Sequence, residues 1–110
     1  MLSKELRLEK KEIPQIAKKG KRFDNEYFFT RAWFDDSLSK PQFAISISVK
    51  IDKRSAIRNR IKRKLRASIM DLVSESPDFR KGKYLIIVKS RDLLDLDNSK
   101  ISEAIKKVIV

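Results

Sequence analysis

The residues with the plainest chemistry lie between Lys53 and Arg66, where eight of fourteen positions are Lys or Arg and none is acidic. A guanidinium forks two N–H donors onto a phosphate, whereas an ammonium offers only a point charge. The stretch is therefore suited to holding a polyanion. Its apolar residues repeat at helical spacing: Ile57, Ile61 and Leu65, continued by Ile69 and Leu72. At about 100° per residue these five fall in one sector roughly 120° wide. Asn59, Arg60, Arg63 and Arg66 fall opposite. Solvated helix faces usually mix signs in i,i+4 pairs, but Arg60, Arg63 and Lys64 have no acid nearby in the sequence. The pattern predicts a helix that buries one stripe and turns a guanidinium-rich face to a nucleic-acid backbone. Arg58 is the awkward member. The helical wheel puts it inside the apolar sector, so it either lies in the first turn beyond the sheet or snorkels its head outward.

Other chemistry is sparse. The chain has no His and no Cys, which removes the commonest general base, a principal zinc ligand and any disulfide framework. Neither a Gly-rich phosphate loop nor a nucleophile–base pair is present. Asp95-x-Asp97-x-Ser99 begins like a calcium loop, yet Lys100 and Lys106 stand where Gly and Glu are needed; it reads as a helix cap. No catalytic residue and no metal ligand is expected in the protein itself.

Lys and Arg number 27 against 15 Asp and Glu, a net charge of +12. That excess points to nucleic acid first and an anionic membrane surface second. No apolar run approaches the roughly 20 residues that span a bilayer, and Met1 to Glu5 lack the apolar core of a signal peptide. A cytoplasmic protein without membrane partners is expected. Its 110 residues predict one domain, 1–110, with 1–11 as a flexible arm anchored at most at Arg7-Leu8.

These features need elements to position them. Ile13 to Gly20 reads as a short helix, with Pro14 in its first turn and Gly20 just past its end. Lys21 to Asp24 makes a brief extended segment, and Tyr27 to Phe34 an aromatic-rich strand. Phe43 to Ile51 alternates strictly, with Phe, Ile, Ile, Val and Ile on one face and Ala44, Ser46, Ser48 and Lys50 on the other. The basic helix runs to about Ser74, and Ser76-Pro77-Asp78 and Gly82 break the chain. Tyr84 to Lys89 fits a central strand covered on both faces. A last helix follows Asp95 to Ser99, with Ile101, Ile105, Val108 and Ile109 on one stripe. The fold class is α+β, a two-layer α/β sandwich in α-β-β-β-α-β-α order. The small, hydroxylic face of Ser46, Ser48 and Lys50 either receives a single strand of RNA or is simply a wet sheet face. Tyr27, Phe28, Phe29, Trp33 and Phe34 either stack on bases or, more commonly for aromatics, pack in the core.

The run Arg58-Asn59-Arg60-Ile61-Lys62-Arg63 resembles the R-N-R-I-K-R signature of the bacterial ribonuclease P protein subunit. The likeness extends over nearly the whole chain. Arg7-Leu8 matches an early Arg-Leu of that family, Ala44 to Lys50 is similar to its G-I-S-V-S-K-K strand, and Tyr84 to Val88 to its Y-V-V-I-A strand. The resemblance implies a fold like the second domain of ribosomal protein S5, with a left-handed β-α-β crossover. It further implies a protein cofactor, in which a catalytic RNA subunit with Mg²⁺ removes the 5′ leader of precursor tRNA. The protein alone would bind no cofactor, while the RNA-containing holoenzyme would require Mg²⁺. Lys53, Arg54, Arg58, Asn59, Arg60, Lys62, Arg63 and Arg66 would face the ribonuclease P RNA. Ile13, Ala17, Arg31, Ser46, Ser48 and Lys50 would line the cleft for the precursor leader. The family usually carries aromatics where Ile13 and Ala17 stand, and often near Arg31. Val49 replaces the first of two Lys, and Ser55 an Ala.

Three rivals remain on residue chemistry alone. A basic structural ribosomal protein would bind ribosomal RNA without stimulating cleavage. A duplex-DNA reader lacks the helix–turn–helix partner that a groove-docking helix needs. A membrane-surface helix conflicts with an apolar stripe directed at a core.

Overall fold

A computed structural model describes residues 6–75 and 80–109. In chain order it contains α1 (Ile13–Lys19), β1 (Lys21–Asp24), β2 (Phe28–Phe34), β3 (Gln42–Ser46), α2 (Ser55–Glu75), β4 (Gly82–Val88) and α3 (Asn98–Ile109). Short 3-10 turns at Lys10–Glu12 and Arg91–Asp95 precede α1 and α3. The expected element order therefore holds. The break expected at 76–78 and the first five residues of the N-terminal arm lie outside the described residues.

The strands form one sheet in the order β1-β2-β4-β3, antiparallel except for the β3–β4 pair. β4 is central, as its apolar run requires, with Tyr84, Ile86 and Val88 turned to one face and Leu85 to the other. The first face carries the main core. Phe28, Ala32, Phe43, Tyr84 and Ile86 meet Ile61, Leu65 and Ile69 of α2 and Ile101 and Ile105 of α3. Phe43 and Tyr84 stack with ring centroids 5.3 Å apart. The second face is covered by α1 and Leu8, with Ile16 packed against Leu8 and Leu85.

Three details differ from the sequence-based expectation. The strand expected from Phe43 to Ile51 stops at Ser46. β3 is the edge strand whose only full-length neighbour is β4; Ser46 pairs with Ile87 and β4 ends one residue later. The chain then turns: the Ile51 N–H donates to the Ser48 carbonyl at 3.0 Å and the Lys50 N–H to Ser48 Oγ at 3.1 Å. The anchor expected at most at Arg7-Leu8 reaches back to Leu6, while residues 9–11 are exposed. Leu6 and Leu8 are buried, and Arg7 bridges Phe43 in parallel along the outer edge of β3. Gly20 ends α1 without a left-handed turn, at φ −67°. Its lack of a side chain answers crowding, since a Cβ there would lie 2.6 Å from the Ile16 carbonyl and 3.1 Å from the Ala32 nitrogen.

The hand of the β3-α2-β4 connection follows from local stereochemistry. Phe43 turns its side chain toward α2 while its carbonyl accepts from the Leu8 N–H at 2.9 Å, on the side away from β4. For an L-residue this places β4 to the left of β3 when the sheet is viewed from α2 with both strands running upward. The crossover is left-handed, against the roughly 98% of such units that are right-handed.

Candidate nucleic-acid interface

α2 is seated by Ile61, Leu65, Ser68, Ile69 and Leu72, all buried, with Ile57 half-buried at its start. That stripe fixes the rotation of the helix and points Asn59, Arg60 and Arg63 to solvent, with Lys62 and Arg66 half-buried at the flanks and Lys53 exposed just before. None of these six side chains contacts an acid among the described residues.

The other basic residues of the stretch are engaged in holding it. Asp52, 8% exposed, accepts from the Arg54 backbone N–H and from Arg54 Nε and Nη2 at 2.9–3.0 Å, with Arg91 Nη1 at 3.4 Å. The Arg54 side chain, then its backbone N–H, hold the Asp52 carboxyl well below the usual carboxylate range; burial opposes them and Arg91 adds to them. The same pairing raises Arg54. Arg58 resolves its awkward place by turning back: Nη1 donates to the Asp52 and Lys53 carbonyls at 2.9 and 3.0 Å. Lys64 Nζ donates to the Leu94 carbonyl at 2.7 Å. Arg54 remains largely exposed and can still meet a phosphate, whereas Arg58 and Lys64 chiefly fix the entry and the flank of α2.

The second surface is the α1 side of the sheet. Cross-strand pairing sets its rows: Arg22, Arg31, Leu85 and Ala44 in one, Asp24, Phe29, Ile87 and Ser46 in the next. Ile13, Ala17, Ala44 and Ile87 pack around Leu8, Ile16 and Leu85 and remain half-exposed. Arg31 Nη1 donates to the Gly20 carbonyl at 3.2 Å, tying the end of α1 to β2. The Arg22 guanidinium lies 4.1 Å from the Phe29 ring centroid. Arg22 and Lys89 each approach Asp24 to 2.7 Å and lower its pKa to about 2, Arg22 contributing most. The result is a shallow, mostly small and apolar floor on which Arg22, Lys89 and Lys83 each have an acidic partner and Arg31 is tied to a backbone carbonyl.

Ile13, Ala17, Arg31 and Ser46 are therefore brought to one side of the sheet. Ser48 and Lys50, expected on the same strand face, are exposed in the turn that leads to α2. Arg22 belongs to this surface and was not singled out from sequence, and of the five aromatics weighed for base stacking Phe29 joins it. The signal was available in the alternation of β2, which puts residues 29, 31 and 33 together and opposite the buried Phe28 and Thr30. Trp33 is the exception to aromatic burial among the described residues, at 42% exposed. Among the described residues no group of three or more acidic side chains gathers to hold a metal ion, and no helix is long and apolar enough to cross a membrane.

A cationic helix laid over a four-stranded sheet, beside a shallow open face, defines a small α+β protein with one strongly basic surface. The protein-family model for Ribonuclease P matches residues 2–110. The chain is 30% identical to the ribonuclease P protein component of Cyanothece sp., over 99% of this chain and 93% of that protein. It is 30% identical to that of Rickettsia conorii, over 91% and 90%. In fold it is similar to the RNase P protein of Thermotoga maritima, with a TM-score of 0.75 at 20% identity over 94% of each chain. The RNase P protein of Staphylococcus aureus gives 0.72 at 20% identity, over 94% of this chain and 91% of that one. The chain belongs to the ribonuclease P protein family.

Proposed function

We propose that this chain is the non-catalytic protein subunit of a cytoplasmic ribonuclease P, assisting removal of the 5′ leader from precursor tRNA. The outward face of α2, with Lys53, Arg54, Asn59, Arg60, Lys62, Arg63 and Arg66, binds the catalytic RNA, and Arg58 positions it. The α1 side of the sheet, with Ile13, Ala17, Arg31 and Ser46 and the adjoining Ser48 and Lys50, receives the single-stranded leader. Mg²⁺ supplies its chemistry on the RNA; the protein's part is to lower repulsion between RNA helices and to hold the substrate. The observation that carries this reading is the row of cations on α2 without acidic partners, on a helix whose rotation is fixed by its buried stripe. Like charges crowded this way cost stability until a polyanion binds.

The test is cleavage of a 5′-extended precursor tRNA by a bacterial ribonuclease P RNA at low Mg²⁺. The arms are no protein, the intact protein, and the Arg60→Ala/Arg63→Ala variant. Stimulation by the intact protein that the variant loses is the expected result. Absence of stimulation, with tight binding to ribosomal RNA, would overturn the reading in favour of a structural ribosomal protein.

A further inference from the structure

Arg66 and Ile13 stand on the two different RNA surfaces proposed above, yet they line one cavity. It measures about 200 Å³ and lies at the outer edge of β3. Its apolar walls include Leu8, Ile13 and Ile45, and its cations are Arg7, Lys10 and Arg66. No acid lines it. The two acids of the neighbouring segment are engaged elsewhere, Glu9 with Lys11 and Glu12 with Lys83. Arg7, Lys10 and Arg66 have no side-chain acceptor among the described residues.

The edge of β3 adds directional chemistry. Residues 43 and 45 direct their backbone groups to the same side of the strand. The Phe43 carbonyl is taken by Leu8, but the N–H and C=O of Ile45 bond no described residue. A donor and an acceptor, side by side on an apolar-walled cavity, match the edge of a nucleobase. The surrounding cations match its phosphate. The volume falls below the roughly 300–1,000 Å³ of clefts for drug-sized ligands, and so suits a single base.

We propose that this cavity seats one unpaired nucleotide, its base against Leu8, Ile13 and the Ile45 backbone and its phosphate among Arg7, Lys10 and Arg66. The site rests on the reading of the protein as a ribonuclease P subunit and joins its two RNA surfaces around the edge of the sheet. The nucleotide comes either from the precursor leader or from the catalytic RNA.

The first measurement needs no RNA: amide NMR shifts of the full chain titrated with adenosine monophosphate, adenosine or inorganic phosphate. Saturable shifts at Leu8, Ala44 and Ile45 with the monophosphate, weaker with adenosine and absent with phosphate, are expected. The Arg7→Gln/Lys10→Gln variant changes two exposed side chains and should keep its thermal midpoint. It should weaken monophosphate binding by about tenfold or more, since charge-assisted hydrogen bonds are lost. An equal response to phosphate alone, or shifts that map away from β3, would overturn the site. The second arm compares the variant's affinity for a leader oligonucleotide and for the catalytic RNA. The partner whose binding weakens supplies the nucleotide, and no loss with either would also overturn the proposal. Cleavage stimulation by the unaltered protein reports separately on the function itself, so the two ideas fail independently.

Discussion

The outer face of α2 and the open side of the sheet are built on opposite plans. On α2 the large apolar residues are turned inward, and the outward cations meet no acid among the described residues. On the sheet most cations have an acid beside them, Arg22 and Lys89 sharing Asp24 and Lys83 meeting Glu12, around half-exposed apolar residues. Unpaired cations bind any phosphate backbone strongly and in a salt-dependent way. In the proposed function the small, largely apolar floor adds little affinity and instead distinguishes a substrate that has a single strand to lay across it from one that has none. The difference separates affinity from discrimination, and each can be altered without the other.

The sharpest way to break that division is on α2. Arg60→Ala/Arg63→Ala should weaken catalytic-RNA binding by roughly 10–100-fold and reduce the log–log salt slope by about 2. The preference for precursor over mature tRNA should stay unchanged, as checked by filter binding across a salt series. On the sheet, Ala17→Phe adds a ring beside the floor. Taking the low end of base–aromatic stacking, about 1 kcal/mol, precursor binding should tighten roughly fivefold with mature tRNA unaffected. An equal gain for both substrates would mean that α1 does not border the leader.

Acid should act on the sheet's paired charges. The folded pKa of Asp24, about 2, lies below its ordinary value of 3.8. Its stabilising contribution is therefore complete above about pH 4 and is lost as pH falls toward 2. Asp24→Asn should flatten that limb of the urea midpoint against pH. The smallest effect belongs to Ser68, fully buried on the inner side of α2 with no partner for its hydroxyl among the described residues. Ser68→Ala should leave RNA binding unchanged and shift unfolding free energy by no more than about 1 kcal/mol, toward stability.

The basic helix and the central strand were legible in the sequence because their signals are local: a 3.6-residue period from Ile57 to Leu72, and an uninterrupted apolar run from Tyr84 to Val88. The end of β3 was not, because Ile47, Val49 and Ile51 continue the alternation after the neighbouring strand has run out. The anchoring of Leu6 and Leu8 depends on a strand edge more than thirty positions away in sequence. The roles of Arg54 and Arg58 depend on backbone carbonyls and a carboxylate in the preceding turn, to which a helical wheel is blind. The sheet surface proposed for the leader was only half visible. Ile13, Ala17 and Arg31 came through family likeness, while picking Phe29 from the five aromatics weighed for base stacking needed the strand's alternation to be read against the position of α1.

The strand made last occupies the middle of the sheet. While the chain is being synthesised, β2 and β3 have no common neighbour until residues 82–88 emerge, although α2 is already complete. At about 5–20 residues per second the nascent chain spends a second or so with the apolar stripe of α2 uncovered and its cations already displayed. Closure of the domain is thus a late event in translation, set by the arrival of β4, and a chain stopped before Gly82 holds a β1–β2 hairpin and a separate β3 with no sheet to join them.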